Sequence, residues 1–335
     1  MRKFTAKLLN ALTLFVLITN GLIAWGIYSK PQYFLGTIYD YYLIKASYQN
    51  INEEPSRKND IIGDSRGTAG VNPDILGSEY INLSIPGANF FEGYITVKRR
   101  LEVSTIDTLI AVYGLNFFEN TIWTDLRTIP FRFATRSELN DLKQLERKER
   151  SLVNENMSLG YPELISSQFK RDLRFCRVPM VYSSTFRESF IDFIRLKDND
   201  EKGRLLIEYN GHISFGTADS SNEARSLSES TEFRPGKVNM AYLDSIISIC
   251  NTNGIQFFLC IPPVNESTWM LPENKVYIEN AMRYFEFNFP QYTIQNAHFL
   301  ANYYFGDRTH LNRLGSELFS EQIRYNLTNF KYETP

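Results

Sequence analysis

Two stretches, IDTLIAVYG at 106–114 and IQFFLCI at 255–261, leave this chain little choice of fold. Each is a nearly unbroken apolar run, and each ends at a glycine or at prolines. A strand with one wet face alternates apolar and polar residues. A run without alternation suits a strand covered on both faces, as in a parallel sheet flanked by helices. Ile61 and Ile62, ended by Gly63, read as the end of a third such strand. YINLSI at 80–85, ended by PGAN, reads as a fourth. Helical spacing falls between them, at 91–104 and at 238–254, where an Asn–Gly pair supplies a stop. A final helix is expected over 310–327, with Leu311, Leu314, Leu318 and Ile323 on its apolar face. The expected fold class is α/β, with a mostly parallel sheet covered on both faces.

The N-terminus adds a different expectation. MRKFTAK is basic, and residues 8–28 carry no charge across 21 positions. A helix of that length spans about 30 Å, the thickness of a hydrocarbon layer. The expected organisation is therefore a cytoplasmic tail at 1–7 and a transmembrane anchor at 8–28. A juxtamembrane helix and linker would follow at 29–58, then a catalytic domain at 59–330. Arg2, Lys3 and Lys7 would keep the N-terminus cytoplasmic and place the domain in the periplasm or outside the cell. A cleaved signal peptide is the rival reading. Between 117 and 237 the strand–helix alternation fails. That segment reads as an insertion that covers or walls a site, with a charged helix candidate at SELNDLKQLERKERSLVNE.

Composition narrows the function. A net charge of −2, from 36 basic and 38 acidic residues, lacks the positive excess that non-specific nucleic-acid binding needs. Cysteine is sparse, at Cys176, Cys250 and Cys260, without a CxxC. The last two sit in apolar runs and read as buried free thiols. The three histidines, His212, His298 and His310, form no paired metal-ligand motif. Neither a P-loop nor a GxGxxG turn occurs, so no cofactor is expected.

Four short motifs fall at expected carboxyl ends of strands or just before the last helix. They are GDS at 63–65, PGAN at 86–89, GLN at 114–116 and DRTH at 307–310. Ligands of open α/β sheets gather at that edge. Ser65 is the candidate nucleophile, His310 its base, and Asp307 the carboxylate that orients the imidazole. The Ser65 and Gly87 amides and the Asn116 side chain are candidate oxyanion donors. Each has a plainer reading: GDS as a turn, Gly87 as a turn glycine, Asn116 as a cap, Asp307 as a helix N-cap. Arg66 could hold an anionic group or fix the loop. His212 in YNGHISFG could touch substrate if the insertion folds over the site.

These motifs resemble the blocks of the SGNH hydrolase superfamily, the GDSL-like lipases and esterases. In that resemblance Ser65 stands for the nucleophile, Gly87 and Asn116 for the oxyanion residues, and Asp307 with His310 for the acid and base. GLNF departs from the family's GxND block at Phe117. The resemblance implies a three-layer, flavodoxin-like α/β/α sandwich. It also implies a membrane-anchored O-acyltransferase, with acetyl as the expected group, that modifies an extracytoplasmic polysaccharide. The expected partners are an acylated envelope glycan and a polytopic membrane acyltransferase that supplies the acyl group. A carbohydrate esterase or lipase-like hydrolase is the alternative, as is a non-catalytic glycan-binding or scaffold protein.

Overall fold

A computed structural model describes residues 2–29, 39–119, 133–154, 204–215, 218–228, 230–294 and 297–329. Cys176 and residues 120–132, 155–203, 216–217 and 229 of the expected insertion lie outside them. Five parallel strands form the central sheet: β1 (Asn59–Gly63), β2 (Tyr80–Asn82), β3 (Thr108–Val112), β4 (Gln256–Cys260) and β6 (Thr293–Ile294). Their order is β2-β1-β3-β4-β6. In register, Asn59 lies beside Thr108 and Gly63 beside Val112, while Val112 lies beside Cys260. A minor two-stranded sheet pairs β5 (Val264–Asn265) with β7 (Phe299–Leu300).

The apolar runs behave as strands buried on both faces. Ile62, Leu109, Ala111, Phe257 and Leu259 enter one core, while Ile61, Ile110, Val112, Phe258 and Cys260 enter the other. This is the period-two alternation of a pleated strand, with both faces apolar. The first core is closed by helices α5 (Phe90–Val103), α8 (Lys237–Asn253) and α10 (Pro272–Asn288). The second is closed mainly by α11 (Arg313–Asn329), which contributes Phe319 and Ile323 and packs on the short helices α3 (Ser65–Gly70) and α4 (Pro73–Leu76). Cys250 and Cys260 are buried free thiols, and burial pushes Cys250 up to about 12.

Local chemistry sets the helix ends. Asn89 caps α5 by accepting from Phe91 N (2.9 Å) and Glu92 N (3.4 Å), and Glu92 returns the bond to Asn89 N (2.9 Å). Gly254 ends α8 at φ +70, a left-handed position suited to glycine. Helix α2 (Tyr39–Glu53) lies in the expected linker and buries Ile44 and Ile51 in the first core. Such burial contributes roughly 1.5–3 kcal/mol per side chain. The charged segment forms α7 (Arg136–Asn154). The remaining labelled helices are α1 (Arg2–Ser29), α6 (Asn116–Glu119) and α9 (Glu266–Trp269).

The α/β sheet is present, but the transmembrane part of the expected fold is corrected. Residues 8–28 do lie in α1, yet among the described residues no helix is long and apolar enough to cross a membrane. Within that helix, Thr13 bonds back to Leu9 O at 2.9 Å. The anchor at 8–28, the single-pass localisation with a cytoplasmic N-terminus, and the membrane partners built on it are withdrawn with that finding.

Candidate active site

Strand β1 delivers Ser65 to the carboxyl edge of the sheet. Asp64 is the N-cap of α3 and is fully buried. Its Oδ1 accepts from Arg66 N at 2.7 Å, and its Oδ2 accepts from Gly114 N at 3.1 Å. One carboxylate thus joins the turn after β1 to the turn after β3. Burial raises the Asp64 pKa, while the Arg66 charge and the two amides pull it down. The turn is tight. A Cβ on Gly63 would overlap the Val112 carbonyl oxygen, and one on Gly67 would meet Ser84 Oγ at 2.6 Å.

The far end of α3 is equally well held. Asn82 Nδ2 donates to the Gly67 and Val71 carbonyls at 2.9 and 2.8 Å. Ile213 N donates to Thr68 O at 3.2 Å. His212 Nε2 lies 3.1 Å from Ala69 O and 3.0 Å from Ser316 Oγ. A carbonyl only accepts, so Nε2 carries the proton to it. Burial lowers the His212 pKa, which favours this neutral form. The ring therefore braces α3 against α11 at the end away from Ser65.

The loop before α11 supplies the partners of Ser65. Gly306 N bonds His310 O at 3.0 Å, and Phe305 bridges Leu311. Asn312 caps α11 through Gly315 N at 3.0 Å, and its Nδ2 donates to Tyr303 O at 2.8 Å. A Cβ at Gly315 would overlap the Tyr304 carbonyl, so the helix starts hard against the loop. On that frame His310 Nε2 lies 2.8 Å from Ser65 Oγ, and His310 Nδ1 lies 2.7 Å from Asp307 Oδ2. Asp307 Oδ1 accepts from the amides of Thr309 and His310, both at 2.7 Å. Partial burial works to raise the Asp307 pKa. The His310 and Thr309 hydrogen bonds outweigh it, and the carboxyl lies well below its ordinary range. Phe215 covers the imidazole with ring centroids 5.1 Å apart.

Gly87 and Asn116 occupy the same sheet edge. Leu83 N bonds Ile61 O and Ile85 N bonds Gly63 O, so the loop after β2 runs beside β1. Gly87 adopts φ +72, a backbone that favours glycine whatever its amide does. Its N–H has no hydrogen-bond partner among the described residues. Asn116 opens α6 just after β3, and its Oδ1 is buried without a partner. Ser65 and Asn116 therefore flank the crevice between β1 and β3, where the strand order reverses. His298 sits elsewhere in the cleft wall, 5.7 Å from the Trp269 ring. Among the described residues no group of three or more His, Cys, Asp and Glu could hold a metal ion.

Sequence reasoning missed three contributors. Asp64 acts as cap and tie, and its signal was an aspartate just before a helix start. Thr309 and Phe215 buttress the Asp307–His310 pair, and their roles had no local signal.

Compared with known proteins, the chain matches no family model and no curated protein. The resemblance to a membrane-anchored SGNH family is therefore corrected. It rested on four motifs of three or four residues each, too short to carry descent, and one of them lacks the family's aspartate. Any chemistry here must be argued from the site's own geometry.

Proposed function

We propose that this chain performs serine-dependent O-acyl transfer from an ester, with Ser65 carrying the acyl group in between. The single observation behind this reading is the hydrogen-bond chain Ser65 Oγ–His310 Nε2 (2.8 Å) and His310 Nδ1–Asp307 Oδ2 (2.7 Å). His310 takes the Ser65 proton as Oγ bonds to the ester carbonyl carbon. The carbonyl electron pair moves to oxygen, for which the Ser65 amide at the start of α3 is a candidate donor. Gly87 N–H and the Asn116 side chain are the further candidate donors. Each such donor is worth roughly 2.7–4 kcal/mol in the transition state. Collapse of the intermediate expels the alcohol, which takes the proton from His310. Asp307 keeps the imidazole in the required tautomer and stabilises its cation.

The acceptor then repeats the sequence in reverse. Water gives hydrolysis, and a carbohydrate hydroxyl gives transfer. The His310 side chain is 19 % exposed and Asp307 38 %. Such access favours water as acceptor and hence the esterase form of the activity. A scaffold without catalysis has no need of a serine within hydrogen-bond distance of an oriented histidine.

The test is incubation of the chain with an activated acetyl ester, following alcohol release and protein mass together. An acetyl adduct or release that vanishes in Ser65→Ala is the expected result. Unchanged release from Ser65→Ala would sink the reading.

A further inference from the structure

The segment DRTH sets two oxygen acceptors, not one, beside the same ring nitrogen of its histidine. His310 Nδ1 lies 2.7 Å from Asp307 Oδ2 and 3.2 Å from the Thr309 hydroxyl oxygen. That oxygen also lies 3.1 Å from Asp307 Oδ1. Oδ1 further accepts the amides of Thr309 and His310, both at 2.7 Å. Ring, hydroxyl and carboxylate therefore close a small cycle. Threonine is β-branched and restricted at χ1, so its hydroxyl keeps this place at little entropic cost.

Proton positions in the cycle follow from the other side of the ring. For His310 Nε2 to accept the Ser65 proton across 2.8 Å, the neutral ring carries its hydrogen on Nδ1. Nδ1 is then a donor, and the Thr309 oxygen facing it accepts. The hydroxyl has one proton of its own, and the ionised Asp307 Oδ1 is the acceptor within reach of it. The opposite tautomer would set the Nδ1 lone pair against the carboxylate. The hydroxyl would then serve Nδ1 only by abandoning Oδ1. Asp307 and Thr309 thus select the same tautomer.

We propose that Thr309 is a positioning residue whose hydroxyl is a second acceptor, holding the His310 proton on Nδ1 even when Asp307 is lost. Its kinetic consequences rest on the acyl-transfer reading, and the test separates the two. The order of variants is the signature. In Asp307→Asn the two loop amides hold the side-chain oxygen at the Oδ1 position. The side-chain NH2 then faces Nδ1 and favours the tautomer protonated on Nε2, which cannot accept from Ser65. In Asp307→Ala that misdirected donor is absent, and Thr309 Oγ1 remains to accept. On para-nitrophenyl acetate, kcat of Asp307→Ala should exceed that of Asp307→Asn by about tenfold. Thr309→Val added to Asp307→Ala should remove that advantage, and Thr309→Ser should keep most of it. Thr309→Val alone should lower kcat roughly three- to tenfold with KM unchanged.

The tautomer itself is read by magnetic resonance of the full chain, isotopically labelled at the histidine ring nitrogens, where only His212, His298 and His310 contribute. At mildly alkaline pH the His310 shifts should report Nδ1–H in the parent and in Asp307→Ala. They should move toward Nε2–H in Asp307→Asn and in the double variant Asp307→Ala/Thr309→Val. An Asp307→Ala no more active than Asp307→Asn, or an advantage indifferent to Thr309→Val, would overturn the second acceptor and leave the acyl-transfer reading standing. Where Asp307→Ala disturbs the loop, Thr309→Val decides alone, since it keeps the shape and both amide bonds: an unchanged kcat overturns the proposal. No turnover by the parent, with the tautomer still following Thr309, would uphold the second acceptor and overturn the acyl-transfer reading. No turnover and a tautomer indifferent to Thr309 would overturn both.

Discussion

Strand β1 has a buried aspartate near each end, and the two are satisfied in different ways. At the amino end, Asp60 accepts Arg100 Nε at 3.3 and 3.2 Å, and both side chains are essentially inaccessible. Arg100 spends its remaining donors on the carbonyls of Ile51 (3.0 Å), Glu54 (2.8 Å) and Arg57 (2.6 Å). It thereby ties the end of α2 and the following linker to the sheet. At the carboxyl end, Asp64 is satisfied by backbone amides alone. The Arg66 guanidinium lies across the Gly114 α-carbon, and its charge acts on Asp64 without a direct hydrogen bond. Where every donor and acceptor is used up within the chain, the polar group serves architecture.

Substitutions sharpen this contrast in descending order of effect. Asp307→Asn belongs wholly to the carboxyl edge. It should lower kcat on an activated ester roughly a hundredfold to ten-thousandfold, with a smaller loss in the urea midpoint at neutral pH from the hydrogen bonds of its ionised carboxylate. Arg100→Met should do the reverse. It strands a buried carboxyl and three carbonyls, and should cost about 3–5 kcal/mol in urea unfolding. Turnover under conditions where the variant stays folded should change little. Equal damage to activity in both variants would erase the distinction between the two ends.

Asp64→Asn tests whether the cap is more than a cap. Both carboxylate oxygens accept from amides, so one amide N–H of the substituted side chain must face a backbone N–H. The cost should be about 1–3 kcal/mol of stability. With the turn disturbed, kcat/KM should fall by roughly tenfold. A stability loss with unaltered kcat/KM would mean that the tie between β1 and β3 does not position Ser65.

The two ends also differ in how their stability depends on pH. Burial raises Asp60 from 3.8 to about 7, against the pull of Arg100. The folded state then holds the proton more tightly than the unfolded state does. The stability gained is full below pH 3.8 and is lost as pH rises toward about 7. Asp307 has the opposite sign. Its depressed pKa contributes stability above the ordinary value of 3.8, lost as pH falls below it. Urea midpoints across pH 3–8 should therefore show a downward slope between about 4 and 7 that Asp60→Asn flattens. A slope unchanged by that substitution would assign it to another group.

The strands at 106–114 and 255–261 were legible because burial on both faces writes itself as continuous apolar runs. Helices α5, α7 and α8 were legible from spacing and end signals. Helix α10 was overlooked, since PENKVYIENAMRYFEFN mixes polar residues among its buried positions Tyr277, Ile278, Ala281 and Phe285. Pro272 at its start was the available clue. The last helix begins at Arg313 rather than 310 because Leu311 is bridged to Phe305 and Asn312 acts as the cap. The N-terminal run read as a membrane span because it carries no charge across 21 positions. The brace formed by His212 was not readable, since its partners Ala69 and Ser316 are far away in the chain.

The amino-acid sequence by itself determined which segments become buried strands, because the hydrophobic pattern acts on each segment where it stands. It also placed Ser65, Asn116 and Asp307–His310 at element boundaries. Only the tertiary structure decided that His310 meets Ser65 across 245 residues. Such contacts depend on strand order and loop closure. No local pattern encodes them, because their energies arise only after the sheet has brought distant residues within bonding or electrostatic reach.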